Sequence, residues 1–98
     1  MKKFAFILMG GHYSPQEHQA CFDTGKQVTY IVTVRDFEEA REAVKRLEAE
    51  GVGAVELCGA FGEERTKELI ELTGNRIAIG YVTHLESQDG LFAAFFGH

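Results

Sequence analysis

The chain has 98 residues, the length of one domain, and residues 1–98 are treated as a single α/β unit. Its ten basic and fifteen acidic residues give a formal net charge of −5 without any basic run, which argues against nucleic acid as a partner. No stretch approaches the ~20 apolar residues of a membrane-spanning helix, so no membrane partner is expected. Cys21 and Cys58 lie far apart in the sequence, and reduced thiols in the cytoplasm are the simpler expectation.

Apolar runs of strand length alternate along the chain with polar segments of helical periodicity. The runs are Phe4–Met9, Val28–Val34, Ala54–Cys58 and Ile77–Thr83. Parallel neighbours need a crossover between them, so this alternation predicts a mostly parallel sheet. We therefore expect an α/β fold whose four-stranded sheet is open and Rossmann-like. Half of a (β/α) barrel and a ferredoxin-like α+β fold are the alternatives.

The segment after the first strand carries the signature of a helix start. Ser14 suits the cap position, Pro15 suits the first helical position, and Glu17 follows the cap by three residues. We expect a short helix from there to about Phe22, with Gly25 stopping it. Its apolar face is thin.

The second strand and the helix after it have stronger patterns. Val28–Val34 alternates, and its threonines share one face, which is typical of an edge strand or a half-solvated face. Asp36 is the expected cap of the next helix, and Gly51 is its expected stop. The apolar stripe of this helix comprises Phe37, Ala40, Val44 and Leu47.

A third helix is expected from about Glu63 to Thr73, with Gly74 as its stop. Right-handed crossovers place the second and third helices on the same face of the sheet if the strands are added in one direction. The other face then needs cover from the first helix, from the apolar end of the chain or from a partner.

The end of the chain is strongly apolar. Large apolar side chains at a terminus either pack back onto the sheet or contact a second chain. Because the chain is small, we expect a homodimer formed through these residues. They are Leu91, Phe92, Phe95 and Phe96.

Parallel sheets place ligands beyond the carboxyl ends of their strands. Here those ends lead into glycine-containing turns, and the turn before the third helix could offer backbone amides to an anion. That turn lacks the lysine of a P-loop, and Glu63 and Glu64 would repel a phosphate, so a plain tight turn is the alternative. The expected ligand-binding residues are Gly10, Gly11, His12, Gly59, Phe61 and Gly62.

Three side chains near the same edge are candidates for catalysis. Glu56 lies in mid-strand, where a carboxylate is costly unless it is paired or functional. Cys58 precedes the start of a helix, which lowers the pKa of a thiol, and His84 could act as its base. Core packing for Cys58, and pairing with an arginine or exposure to water for Glu56, are the alternatives.

Imidazole and thiolate groups together suit zinc or a similar metal. His18 and Cys21 are three residues apart, hence on one face of the expected first helix, and His12 follows the first strand. The sequence has no Cys-x-x-Cys or His-x-x-x-His pair, so we assign no metal and no cofactor. His12, His18 and Cys21 are the residues that a metal would use.

Three segments resemble a small bacterial family of about 100-residue proteins, a domain of unknown function. They are Lys2–Tyr13 (KKFAFILMGGHY), Val52–Gly62 (VGAVELCGAFG) and Gly80–His84 (GYVTH). The resemblance covers nearly the whole chain and implies no activity, ligand or catalytic residue. Glu38–His84 also has the cadence of aldolase-type (β/α) barrel units, but it lacks a strand-end lysine for Schiff-base chemistry.

Three functions remain open from the sequence. The first is a binding or sensor domain for a small metabolite, with its pocket at the carboxyl ends of the strands. The second is a small enzyme of the isomerase or lyase type that uses Glu56 or His84 for proton transfer. The third is a structural subunit of a homo-oligomer.

Overall fold

Five strands form one sheet in the computed structural model, which describes residues 1–97. They are β1 (Lys2–Met9), β2 (Ala20–Asp23), β3 (Gln27–Val34), β4 (Ala54–Leu57) and β5 (Ala78–Tyr81). The order across the sheet is β2-β3-β1-β4-β5. All neighbours are parallel except β2, which runs antiparallel to β3. The α/β class and the mostly parallel open sheet are confirmed, whereas the α+β alternative is wrong and four strands is one too few.

The extra strand replaces the expected first helix. The carbonyl of Ser14 accepts hydrogen bonds from the amides of Glu17 and His18 at 3.0 and 2.8 Å, so a single turn forms where the helix was expected to begin. The chain then becomes extended and pairs with the edge of β3. Pairing satisfies the backbone groups of β2, while a helix there would have had almost no apolar stripe to bury.

Two of the expected helices form with slightly shifted bounds, and a further helix follows near the end of the described residues, which makes three α-helices in residues 1–97. They are α1 (Phe37–Ala49), α2 (Gly62–Leu72) and α3 (Asp89–Phe96), the last preceded by a 3-10 turn at Glu86–Gln88. The carboxylate of Asp36 accepts the amide of Glu39 at 2.9 Å and caps α1 as expected. None of the helices in residues 1–97 has both the length and the apolar character needed to cross a bilayer.

The hydrophobic core lies between one face of the sheet and the two helices α1 and α2. From β1 it takes Ala5 and Ile7, which are fully buried, and from the helices it takes Val44 and Leu69. The face of α2 that packs on the sheet also includes the buried Thr66, and Thr73 just after the helix is buried as well. Both helices therefore cover the same face, as the handedness of the crossovers requires.

No helix in residues 1–97 packs on the opposite side of the sheet, which we call the open face. Alternation along each strand places there Lys2, Phe4, Phe6, Leu8, Ala20, Phe22, Gln27, Thr29, Ile31, Thr33, Ala54, Glu56, Ala78 and Gly80. The helix α3 packs mainly against the 3-10 turn before it and leaves this face bare. The open face is therefore the part of the fold that is left for a ligand or a partner.

Candidate functional site

A cleft of about 390 Å³ lies on the open face, where β1 ends and the loop 10–19 crosses toward β2. The loop supplies most of its polar groups, and the strands supply an apolar floor. Its lining residues are Leu8, His12, Tyr13, His18, Gln19, Ala20, Ile31 and Thr33. Its floor lies on the face of the strands near the carboxyl end of β1, and parallel sheets place ligands near such ends.

Hydrogen bonds at both ends hold the loop 10–19 against the sheet. At its start, the amide of Gly10 donates to the carbonyl of Val34 at 3.0 Å. At its end, the hydroxyl of Thr33 donates to the carbonyl of His18 at 2.8 Å. Thr33 is only 4% exposed, so this bond is protected from water. The polar rim of the cleft is thus fixed to β3.

The imidazole of His18 has a defined tautomer in this arrangement. Its Nδ1 lies 2.8 Å from the amide nitrogen of Ser14. A backbone N–H can only donate, so Nδ1 accepts and the ring proton resides on Nε2. His18 therefore has an N–H donor left for a ligand.

Three aromatic rings stand together above the floor of the cleft. The rings of His12 and Tyr13 lie 4.3 Å apart, and those of Tyr13 and His18 meet edge to face at 6.1 Å. Gly10 makes this possible, because a Cβ at that position would come within 2.9 Å of the His12 ring. The arrangement can hold a small molecule with an apolar body and a polar or anionic group.

The predicted ligand-binding residues divide between two places. Gly10, Gly11 and His12 belong to the loop that borders the cleft. The other three, Gly59, Phe61 and Gly62, form the turn between β4 and α2 and do not line it. Phe61 is 3% exposed and packs edge to face against Phe37, with their ring centroids 6.4 Å apart, so its side chain belongs to the core. Their role in binding stays a prediction.

Sequence reasoning missed several residues of the cleft, notably Tyr13, Gln19 and Thr33. Thr33 had a usable signal, since the threonine face of β3 indicated a half-solvated side of the sheet. The other two become recognisable only when β2 is known to be a strand, because that pairing brings the loop 10–19 over β1.

The proposed catalytic groups do not line this cleft. The His84 Nε2 lies 2.6 Å from the carboxylate of Asp89, and its ring stacks on Phe92 at 4.1 Å. The Cys58 sulfur accepts the amide of Met9 at 3.3 Å. The side chain of His84 therefore contacts two residues of α3. Catalysis by His84 and Cys58 stays a prediction.

Glu56 lies half-buried on the open face between its strand neighbours Phe6 and Gly80. No hydrogen bond or ion pair joins its carboxylate to another residue within 1–97. A Cβ at Gly80 would lie 3.2 Å from the Glu56 Oε1, so this glycine provides the room that the carboxylate occupies. The catalytic role of Glu56 stays a prediction.

The residues named for a metal are only partly brought together. His12 and His18 border the same cleft, but Cys21 points to the side of β2 opposite Ala20. The first helix, which was expected to place His18 and Cys21 on one face, does not form, because Cys21 lies in β2. Across the described part of the chain, no three His, Cys, Asp or Glu side chains converge so as to hold a metal ion.

Groups with shifted pKa values lie in surface ion pairs away from the cleft. A hydrogen bond from Arg76 lowers the pKa of the Glu48 carboxyl, and one from Arg35 lowers the pKa of the Glu39 carboxyl. The hydrogen bond that the Lys67 ammonium donates to the Glu63 carboxylate raises the pKa of Lys67. These shifts report structural contacts between exposed side chains and do not mark a reactive centre.

Comparison with known proteins places the chain in a family whose function is unknown. The model of a family of unknown function, DUF6506, matches residues 2–97. This confirms the resemblance to a family of that description, while its bacterial origin stays a prediction. No curated protein and no solved structure matches the chain.

Proposed function

We propose that this chain, which belongs to the DUF6506 family of unknown function, is a binding domain for a small metabolite held in the cleft of the open face. The observation that carries the proposal is the meeting of an apolar floor with the His12, Tyr13 and His18 rings in about 390 Å³. Ligand sites of small molecules have this size and this mixture of apolar lining with a few polar groups.

The lining suggests the chemistry of the ligand. Leu8, Ala20 and Ile31 suit an aliphatic or aromatic body of a few atoms. The Nε2–H of His18 suits a carboxylate or carbonyl oxygen, since the tautomer set by Ser14 makes that nitrogen a donor. A small carboxylic acid with an apolar ring or chain fits both features.

Adjacent residues of β2 offer a matched pair of variants. Ala20 lines the cleft, while Cys21 is exposed on the other side of the same strand. We expect Ala20→Phe to fill the cleft and abolish binding, and Cys21→Phe to leave it unchanged. Both add a large ring to an exposed edge position, so effects on β2 itself are matched.

Thermal unfolding with a panel of small aromatic and aliphatic carboxylates, benzoate and phenylacetate among them, provides the test. A ligand at about ten times its Kd stabilises a protein by about 1.4 kcal/mol, which raises the Tm of a domain this size by about 5 °C or more. We expect this shift in the wild type and in Cys21→Phe only. An equal shift in Ala20→Phe, or none with any compound, would refute the proposal.

A further inference from the structure

Beyond its first turn, the helix α3 has no polar face. From Leu91 to Phe96 every residue is apolar, and six consecutive positions of a helix point in all directions around its axis. A helix that is apolar all round is normally enclosed. Yet Phe95 is 82% exposed and Phe96 is 62% exposed. In a single chain, therefore, large apolar side chains of α3 stay exposed to water.

The open face carries apolar side chains that no helix within residues 1–97 of the same chain covers. Phe4, Phe6 and Ile31 lie there without a covering helix, and Phe22 on the edge strand is 54% exposed. Parallel sheets normally have both faces covered. An eight-residue helix is about 12 Å long, and five strands span about 19 Å, so α3 has the dimensions to cover the centre of such a face.

The contacts at the base of α3 hold it in place outside its own sheet. The Val82 amide continues the ladder by donating to the Leu57 carbonyl at 2.9 Å. His84 then pairs with Asp89 at 2.6 Å and stacks on Phe92 at 4.1 Å. Folding α3 back over the open face of the same chain would require these contacts to change.

We propose that a second copy of this chain covers the open face: each copy lays its α3 on the apolar part of the partner's face around Phe4 and Phe6. Exchange of the same element in both directions is the form expected of a twofold dimer. The proposal does not depend on the metabolite. The cleft lies at the carboxyl end of β1, whereas Phe4 lies toward its amino end.

The area available matches that of a stable dimer. Taking roughly 200 Å² for each aromatic side chain, the 41%, 82% and 62% exposed fractions of Phe92, Phe95 and Phe96 amount to about 370 Å². Two such helices, each covering an equal area of the partner's sheet, would remove about 1,500 Å² from water, and specific interfaces bury about 1,200–2,000 Å².

The sequence of this region favours protein over lipid as the occupant. Helices that lie in a membrane surface are rich in lysine and arginine on their polar side. The chain has neither residue after Arg76, and its net charge is −5. The α3 region therefore has no basic residue to attract anionic lipid, whereas an apolar contact between copies needs none.

Two variants break the proposed contact from opposite sides. Phe95→Glu charges the helix at a residue that a single chain leaves exposed, and Lys45→Gln on the outer side of α1 is its control with the same change in charge. Phe6→Lys charges the open face beside its strand neighbour Glu56, which can pair with the new ammonium group. If Phe6→Lys does not give a cooperative melt, Phe22→Lys at the exposed edge replaces it.

Sedimentation equilibrium of the whole chain between 1 and 100 μM (roughly the range for micromolar association) tests the proposal. We expect the wild type and Lys45→Gln to dimerise, and each breaking variant to raise the dimer Kd at least tenfold, since the contact is lost twice. An equimolar mixture of Phe95→Glu and Phe6→Lys should recover part of the dimer, because the helix of one still fits the face of the other. A monomeric wild type, dimerisation of Phe6→Lys as strong as the wild type's, or sedimentation of the wild type with phosphatidylcholine–phosphatidylglycerol vesicles would overturn the proposal.

Discussion

At the scale of single residues, the side chains that define the cleft depend on their neighbours more than on their own type. His18 offers an Nε2–H because its Nδ1 accepts the Ser14 amide, and His12 packs beside Tyr13 because Gly10 has no side chain. The sequence predicts that His12 lies near a strand end. It does not predict these contacts, because a turn of the chain and an edge strand create them.

Charged residues at this scale serve the fold. The guanidinium of Arg76 binds the Glu48 carboxylate at 2.6 Å across 28 positions of sequence, linking α1 to the turn after α2. This contact stabilises the charged form of Glu48 and lowers the pKa of its carboxyl in the folded protein below the ordinary value of 4.5. Its contribution is therefore complete above 4.5 and is lost as the pH falls through the lowered pKa.

We expect Glu48→Gln to lower the Tm by a few degrees at most near neutral pH, because the pair is exposed. The difference from the wild type should shrink as the pH falls from 4.5 through the lowered pKa, below which the wild-type carboxyl is protonated in the folded protein too. Thermal melts from pH 7 to 3 measure it (roughly the window around a carboxyl pKa). Glu71→Gln removes an equal charge from an exposed position of α2 and should show no such convergence; a constant difference for Glu48→Gln would contradict the account.

At the scale of elements, the success of sequence reasoning follows the strength of periodicity. The helix α1 is predicted with its cap because Asp36 is followed by an apolar stripe of full length. The segment 14–22 has a similar start but only Ala20, Cys21 and Phe22 to bury. Tertiary pairing with β3 therefore decides its structure. This single element also decides the site, since β2 and the loop before it wall the cleft.

The loop 10–19 depends on Thr33. We expect Thr33→Val to remove the hydrogen bond to the His18 carbonyl and to destabilise the fold by about 1 kcal/mol, leaving that carbonyl with one partner fewer. Amide exchange at residues 14–20 should accelerate at least several-fold, with α1 unaffected.

Thr29→Val is the control, because Thr29 lies on the same face of the same strand and its hydroxyl accepts a hydrogen bond from Gln27 instead of binding the loop. Exchange that accelerates equally in both variants, or in neither, would show that Thr33 does not hold the loop.

At the scale of the whole molecule, the fold consists of one complete layer of helices and one bare face. Right-handed crossovers on parallel strands predict this asymmetry from the sequence, and the structure confirms it for α1 and α2. The sequence offers three candidates to cover the open face: a first helix, the apolar end of the chain and a partner. The first helix does not form, and α3 packs mainly against the 3-10 turn instead of the open face. We therefore propose that a partner covers this face.

The central claim is that the open face binds small molecules in the cleft beneath the loop 10–19. The most direct measurement is a set of ¹H–¹⁵N NMR titrations of the whole chain with a mixture of small carboxylate fragments, deconvoluted compound by compound. We predict saturable shifts concentrated at Leu8, the loop 10–19 and residues 31–33. Fragments that shift amides elsewhere, or a spectrum that none of them alters, would contradict it.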